Sequence, residues 1–393
     1  MFKLASKAIE VANKYKVDFG DIRVVEEHTQ SISVKDGELS GVTDQVTLGY
    51  GVRVLYKGAW GFASGSHMTE RAVTDTALKA IEIAKASRRL MAAPVRLAKE
   101  PAHIDFWQTP FVKDPFAVPA EQKLAILMKV DAALRKDRKI KVTIAEMHFM
   151  REHQWHMTTE GSRIEQVLMS SGAGCTATAV ENGQSQTRAY PCTHGGQTLG
   201  GGWEVIEALD LPAHADRVRE EAVALLSAPT CPAGVKDIII SGNQLALQIH
   251  ESVGHASELD RVLGYEESYA GSSFATTEKL GHFRYGSPIV NLVADATLPG
   301  GLATAGYDDD AVKAQRWHIV KDGLLSGYMT NREFCGRIGK ERSWGSCDAI
   351  GDHSQWRLHG VMNCGKGQPG QTATMSHGSS PARFRKVKVG VHG

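Results

Sequence analysis

The stretch LQIHESVGHASELD, residues 247–260, decides how the rest of the chain is read. Zinc-binding helices commonly carry His-Glu-x-x-His, with the two histidines four residues apart. Here His250 and His255 are five apart, with Glu251 directly after the first. An ideal helix advances roughly 100° per residue, so a five-residue step leaves the two imidazoles about 140° apart. Two distortions would bring them together. A π-turn absorbs one extra residue inside a helix. Alternatively, the helix ends at Gly254, which reaches backbone angles that other residues avoid. Gly254 stands immediately before His255, where either device is needed.

If the two imidazoles meet, their chemistry follows from their neutral form. His250 and His255 would bind Zn²⁺, and a third protein ligand would leave one position open for water. Zinc lowers the pKa of such a water toward roughly 7. Glu251, next to a ligand but turned from the metal, would accept the water's proton and pass it to a leaving amine. The residues leave the third ligand open. Glu258 lies three residues past His255, Glu266 and His282 lie in an irregular segment, and Cys364 sits in the glycine-rich NCGKGQPGQ, 363–371. A metal neighbour would keep that thiol deprotonated. The competing reading makes the histidines ordinary polar groups at a helix end, and Cys364 a plain buried cysteine.

Working outward, VKDIIIS (235–241) before the motif reads as a compact buried strand. APTCPAG (228–234) reads as a linker and places the main boundary: an N-terminal domain over 1–228 and a C-terminal domain over 229–393. In the first part, residues 2–15 show helical spacing, and two strands flank the KDGE turn. Two more meet at YKGA, and a helix over 69–87 is capped by Thr69. The proline-rich 91–119 reads as a connector and possible sub-boundary. A helix near 120–136 follows, then a strand alternating at Ile140, Val142 and Ile144, then more strands to about Tyr190. HGGQTLGGGW (194–203) lacks the Lys-Ser/Thr of a phosphate loop and reads as a loop or channel wall. A helix over 213–227 closes the unit. Beyond the motif, strands return at IVNLVAD, at RWHIVKDGLLSGYMT with a hairpin turn, and at RFRKVKVGV. The fold class expected is α+β, with N-terminal antiparallel sheets and helices and a β-rich C-terminal domain.

Composition narrows the function classes. The 393 residues carry 45 basic and 44 acidic side chains, a net charge of +1. That balance gives no electrostatic argument for nucleic acid or an anionic membrane. No apolar run is long enough to span a bilayer. Six scattered cysteines without a C-x-x-C pair favour reduced thiols and a cytoplasmic location. Asp308–Asp310 reads as a solvated turn, HQWH (153–156) as surface histidines, and Tyr265 and Tyr269 as packing or oxyanion-stabilising groups.

Taken together, IHESVGHASELDR (249–261), YDDDAV (307–312), IVKDGLLSGYMTNRE (319–333) and NCGKGQPGQ resemble the TldD/PmbA family of metalloproteases, on its TldD side. GDIRVVEEHTQSISVKDGEL (20–39) fits that family's first domain. The resemblance implies a cytoplasmic zinc-dependent peptidase with His250, His255 and Cys364 as metal ligands and Glu251 as the catalytic glutamate. It implies a dimer, either of like chains or with a PmbA/TldE-like subunit, enclosing a site for unfolded or extended peptides. Family substrates include a bacteriocin precursor and a labile antitoxin. A peptide would add as a strand to an exposed sheet edge. In one respect the chain departs from the family: a long family segment is missing between Ser343 and Trp344, which shortens the C-terminal domain. Two further readings stand beside this one: a non-catalytic partner or scaffold subunit with a crippled site, and a metal-dependent small-molecule amidohydrolase.

Overall fold

A computed structural model describes residues 1–343 apart from Thr193, His194, Pro232 and Lys236. Helix α1 (Phe2–Lys14) buries Ala5, Ala8 and Ala12. Strands β1 (Phe19–Lys35), β2 (Glu38–Tyr56) and β3 (Ala59–Gly65) then run antiparallel. The β1–β2 hairpin turns through Asp36 and Gly37 at φ of +53° and +92°. Positive φ at both central positions is the geometry that matches strand twist. Helix α2 (Glu70–Ser87) starts where expected, and the Thr69 hydroxyl accepts from the Ala72 amide at 3.2 Å.

The expected connector is partly structured. Within it, β4 (Ile104–Gln108) pairs in parallel with Arg163–Val167 of a later strand. Helix α3 (Ala120–Leu134) leads into β5 (Ile140–Thr158), β6 (Arg163–Glu181), β7 (Gln184–Tyr190) and β8 (Gln197–Gly200). The glycine-rich stretch therefore contributes a short strand as well as loop. Helices α4 (Trp203–Leu209) and α5 (Leu211–Leu225) follow. Together β1–β8 form one eight-stranded sheet in the order β3-β2-β1-β5-β6-β4, with β7 and β8 sharing the far edge of β6. Because β1 pairs with β5, the sheet runs unbroken past the 91–119 connector.

The alternation read from Ile140, Val142 and Ile144 holds at Ile140, which is buried, and fails at the next two positions. The ladder slips by one residue between Ile140 and Val142. After that slip Thr143, Ala145, Met147 and Phe149 are buried, while Val142 is 36% exposed. A one-residue slip exchanges the two faces of a strand, and a composition pattern does not reveal it.

One face of the sheet carries two apolar patches, with Glu26, His28 and Gln30 of β1 between them. Ile22 and Val24 lie under α1 and α2, and Ile32 and Val34 lie under α3 and α5. These β1 residues share parity, so both helix pairs cover the same face. The opposite parity carries Asp21 and Arg23 on β1, which face His156 on β5 and are buried. This polar end meets the C-terminal region.

After α5, α6 (Gly242–Ile249) is followed by short turns and by β9 (Leu292–Asp295), β10 (Arg316–Lys321) and β11 (Leu324–Leu325). These three make an antiparallel sheet in the order β11-β10-β9, with the expected hairpin at Asp322–Gly323. The buried strand expected over 235–241 is not formed as such: Ile238 and Ile239 are 54% and 77% exposed. Three consecutive apolar residues signal a tendency to be buried but do not specify a partner. RFRKVKVGV, Cys364 and the Ser343–Trp344 junction's far side lie outside the described residues.

The turn read as solvent-facing acids is instead the joint between the two regions. Asp309 pairs with Arg23, and Asp310 lies 3.2 Å from Arg53. Arg53 also grips Asp21 at 2.5 Å and donates to the Asp309 carbonyl at 2.8 Å. Gln166 on β6 accepts from the Gly306 and Tyr307 amides and donates to the Tyr307 carbonyl. Gly306 sits against Trp107 so closely that an added Cβ would come within 2.5 Å of the ring. Arg332, 2% exposed, makes two 2.8 Å bonds to Glu160 and another to the Ala98 carbonyl.

Candidate metal centre

The helix carrying the motif changes pitch where the spacing requires it. After α6, residues His250–Gly254 form a π-turn, closed by the His255 amide on the His250 carbonyl. A single 3₁₀ turn, His255–Ser257, follows. Gly254 supports this without left-handed geometry: its φ is −53° and its ψ −70°. The first of the two expected devices is therefore the one used.

A widened turn displaces carbonyls from the regular helical ladder, and side chains take them up. The Tyr285 hydroxyl donates to the Ser252 carbonyl. Ser257 donates to the Gly254 carbonyl at 3.1 Å, and Ser273 to the Ala256 carbonyl at 2.6 Å. Burial raises the Tyr285 phenol well above its ordinary pKa, so it serves as a hydroxyl donor. Val253 and Ile249 anchor the segment in a cluster with Leu292, Ala294, Trp317 and Ile319 of the small sheet.

The histidine rings meet edge to face with centroids 4.6 Å apart. Among the described residues, His250, Glu251 and His255 form the group able to hold an ion, with ligand atoms all within 4.8 Å of one another. The Glu251 carboxylate spans them: Oε1 is 3.8 Å from His250 Nε2, and Oε2 is 3.8 Å from His255 Nε2. Both contacts are too long for hydrogen bonds. Imidazole nitrogens are donors that zinc takes at about 2.0–2.1 Å, and the Glu251 carboxylate, expected to turn from the metal, instead lies beside both Nε2 atoms. The histidine side chains are 13% and 15% exposed, whereas Glu251 is 60% exposed. The nitrogens are thus sheltered and the carboxylate faces the solvent side.

The other candidates separate. Glu258 is on the far side of the His255 ring, with Oε2 3.5 Å from Nδ1. It is also 3.2 Å from Arg261 Nε. This contact with Glu258 raises the His255 pKa. Glu266 lies 3.0 Å from Arg261 Nη2, and burial, then the nearby Asp260 and Glu258, raise its carboxyl pKa. His282 is exposed. Cys364 lies outside the described residues. Tyr265 and Tyr269 are 60% and 71% exposed, and Tyr265 rests against Phe334. His153 stacks on Trp155, while His156 is buried against Asp21, so the HQWH histidines are not both surface groups. Sequence reasoning missed Arg261 and Tyr285. Arg261 follows Glu258 at helical spacing, a usable signal, but nothing local marks Tyr285.

A helix distorted to gather two imidazoles and a carboxylate, joined to a large α+β domain, is the arrangement of a metallopeptidase. The chain matches the first domain of the PmbA/TldA metallopeptidases over residues 20–86, their central domain over 113–226 and their C-terminal domain over 233–367. A Methanocaldococcus jannaschii metalloprotease is 31% identical over 327 residues, 82% of this chain and 68% of that protein. The chain belongs to the PmbA/TldD metallopeptidase family. A zinc metalloprotease TldD homologue of Saccharolobus solfataricus is 23% identical over 86% of this chain and 70% of its own length. Among solved structures, a proposed DNA gyrase modulator from Thermotoga maritima shares the fold with a TM-score of 0.72 at 17% identity, covering 93% of this chain and 77% of that one. TldE from Thermococcus kodakarensis does so at 0.62 and 15%, covering 92% and 76%. Among the described residues, no helix is long and apolar enough to cross a membrane.

Proposed function

We propose that this chain is a zinc-dependent peptidase of His-Glu-x-x-x-His type, acting in the cytoplasm on unfolded or extended peptides. The observation that carries the reading is the π-turn His250–Gly254, which turns an unsuitable spacing into two converging imidazoles. His250 and His255 hold the zinc, and Cys364 completes the protein ligands as the family resemblance implies. When bound, zinc polarises the scissile carbonyl and acidifies water. Glu251, equidistant from the two Nε2 atoms and open to solvent, takes the proton of the attacking water. It then returns that proton to the leaving amine, so that peptide bond cleavage consumes one water. Domains over 1–228 and 229–393 would meet at the Arg23–Asp309 joint, and a second like chain or a PmbA/TldE-like subunit would enclose the site.

Replacing Glu251 with Ala tests the assignment. Cleavage of an unstructured peptide should fall by at least about a hundredfold, with zinc content unchanged. Retained cleavage would remove Glu251 from the mechanism. Cleavage of a small amide but not of peptides would favour an amidohydrolase.

A further inference from the structure

We infer that Glu258, held by Arg261, is the positioning residue that makes His255 a metal ligand. This rests on the zinc-site reading above and assigns Glu258 a role other than that of a third ligand. An imidazole binds a metal through a nitrogen lone pair, and the other nitrogen must then carry the proton. The atom of His255 facing Glu251 and His250 is Nε2. Its Nδ1 therefore has to be the N–H, and an N–H needs an acceptor. Glu258 Oε2 lies 3.5 Å from Nδ1, and Arg261 Nη2 lies 3.3 Å from it. A guanidinium has no acceptor, so it can satisfy Nδ1 only in the opposite tautomer, with the proton on Nε2. That tautomer has no lone pair to give a metal. Glu258 can serve the metal-competent tautomer, and Arg261 cannot.

The surroundings keep Glu258 in place for this role. Its side chain is 8% exposed, and Arg261 Nε holds the same Oε2 at 3.2 Å. The backbone is fixed independently of either side chain. Glu258 bridges in parallel with Met329, whose amide donates to the Ser257 carbonyl and whose carbonyl accepts from Leu259. Its placement therefore survives loss of the carboxylate, so a substitution tests the carboxylate itself. A carboxylate on the distal nitrogen of a ligating histidine orients the ring and raises its basicity. Removing one typically lowers metal affinity 10–100-fold.

Zinc affinity is read by competition with a chelating indicator on the full chain, for wild type, Glu258→Ala, Glu258→Gln and His255→Ala, with melting of each metal-free protein alongside. The expected order is wild type, then Gln, whose amide oxygen still accepts from Nδ1–H. Ala follows at 10–100-fold weaker than wild type, and His255→Ala is weakest. The cobalt(II)-substituted Ala variant should retain a metal spectrum that is shifted from wild type. Wild-type affinity in Glu258→Ala would overturn the inference. So would a Gln variant as deficient as His255→Ala, the result for a direct ligand. If Glu258→Ala alone melts far below wild type, the Gln variant decides: an affinity between those of wild type and His255→Ala supports the inference, and one equal to either overturns it. Absence of zinc from wild type would instead overturn the metal-site reading.

Discussion

Residue scale shows why the five-residue spacing works. His250 and His255 converge because the turn between them is wider than an α-turn, and the displaced Ser252 carbonyl is held by Tyr285. That hydroxyl is a cross-link between the motif helix and a segment more than thirty residues later. A Tyr285→Phe change keeps the ring and removes the donor. It should destabilise the protein by about 1 kcal/mol and weaken zinc binding several-fold, read by urea denaturation and by chelator competition. An unchanged zinc affinity would show that the π-turn holds without the clamp. The histidine pair was legible in the sequence because both distortions could be derived from the 100° advance. Tyr285 was not, because its partner is a backbone atom whose availability exists only once the turn has widened.

Element scale belongs to the joint between sheet and C-terminal region. Asp21 on β1 is 2% exposed, between Arg53 on β2 and His156 on β5. Burial alone would raise its pKa, but the Arg53 charge and the bonds from His156 and Arg53 outweigh it and hold the carboxyl well below the ordinary range. The folded state therefore binds this proton more weakly than the unfolded chain, so ionised Asp21 contributes stability above the unfolded pKa of about 4. That contribution is lost as pH falls through the folded value. Wild type should exceed Asp21→Asn in urea midpoint at pH 7, and the gap should narrow steadily below about pH 4. A gap independent of pH over that range would mean that charge is not what Asp21 supplies. The sequence pattern showed the acids at 308–310 but not their arginine partners. Asp309 and Arg23 are separated by most of the chain, and local composition made a solvated turn the simpler reading.

Across the whole molecule, two apolar patches of one sheet face lie under four helices, and part of the opposite face is polar and docked to the region carrying the histidines. The α+β class, the first hairpin, the Thr69 cap and the 322–323 turn were legible because each has a local chemical cause. The parallel β4 was not, since a strand is defined by its neighbour and a proline-rich stretch gives no hint of one. Nor was the face of β5, which the slip beyond Ile140 reverses. The candidate site was read through His250, Glu251 and His255, whereas Arg261 emerges from the geometry around Nδ1.

The proposed function stands on His250 and His255 holding a metal. Zinc per chain, measured by elemental analysis of the purified full chain and of its His255→Ala variant, tests it most directly. One zinc per wild-type chain is expected and none retained by the variant, with both folded by circular dichroism. A folded wild type without metal, or a variant that retains its zinc, would contradict it.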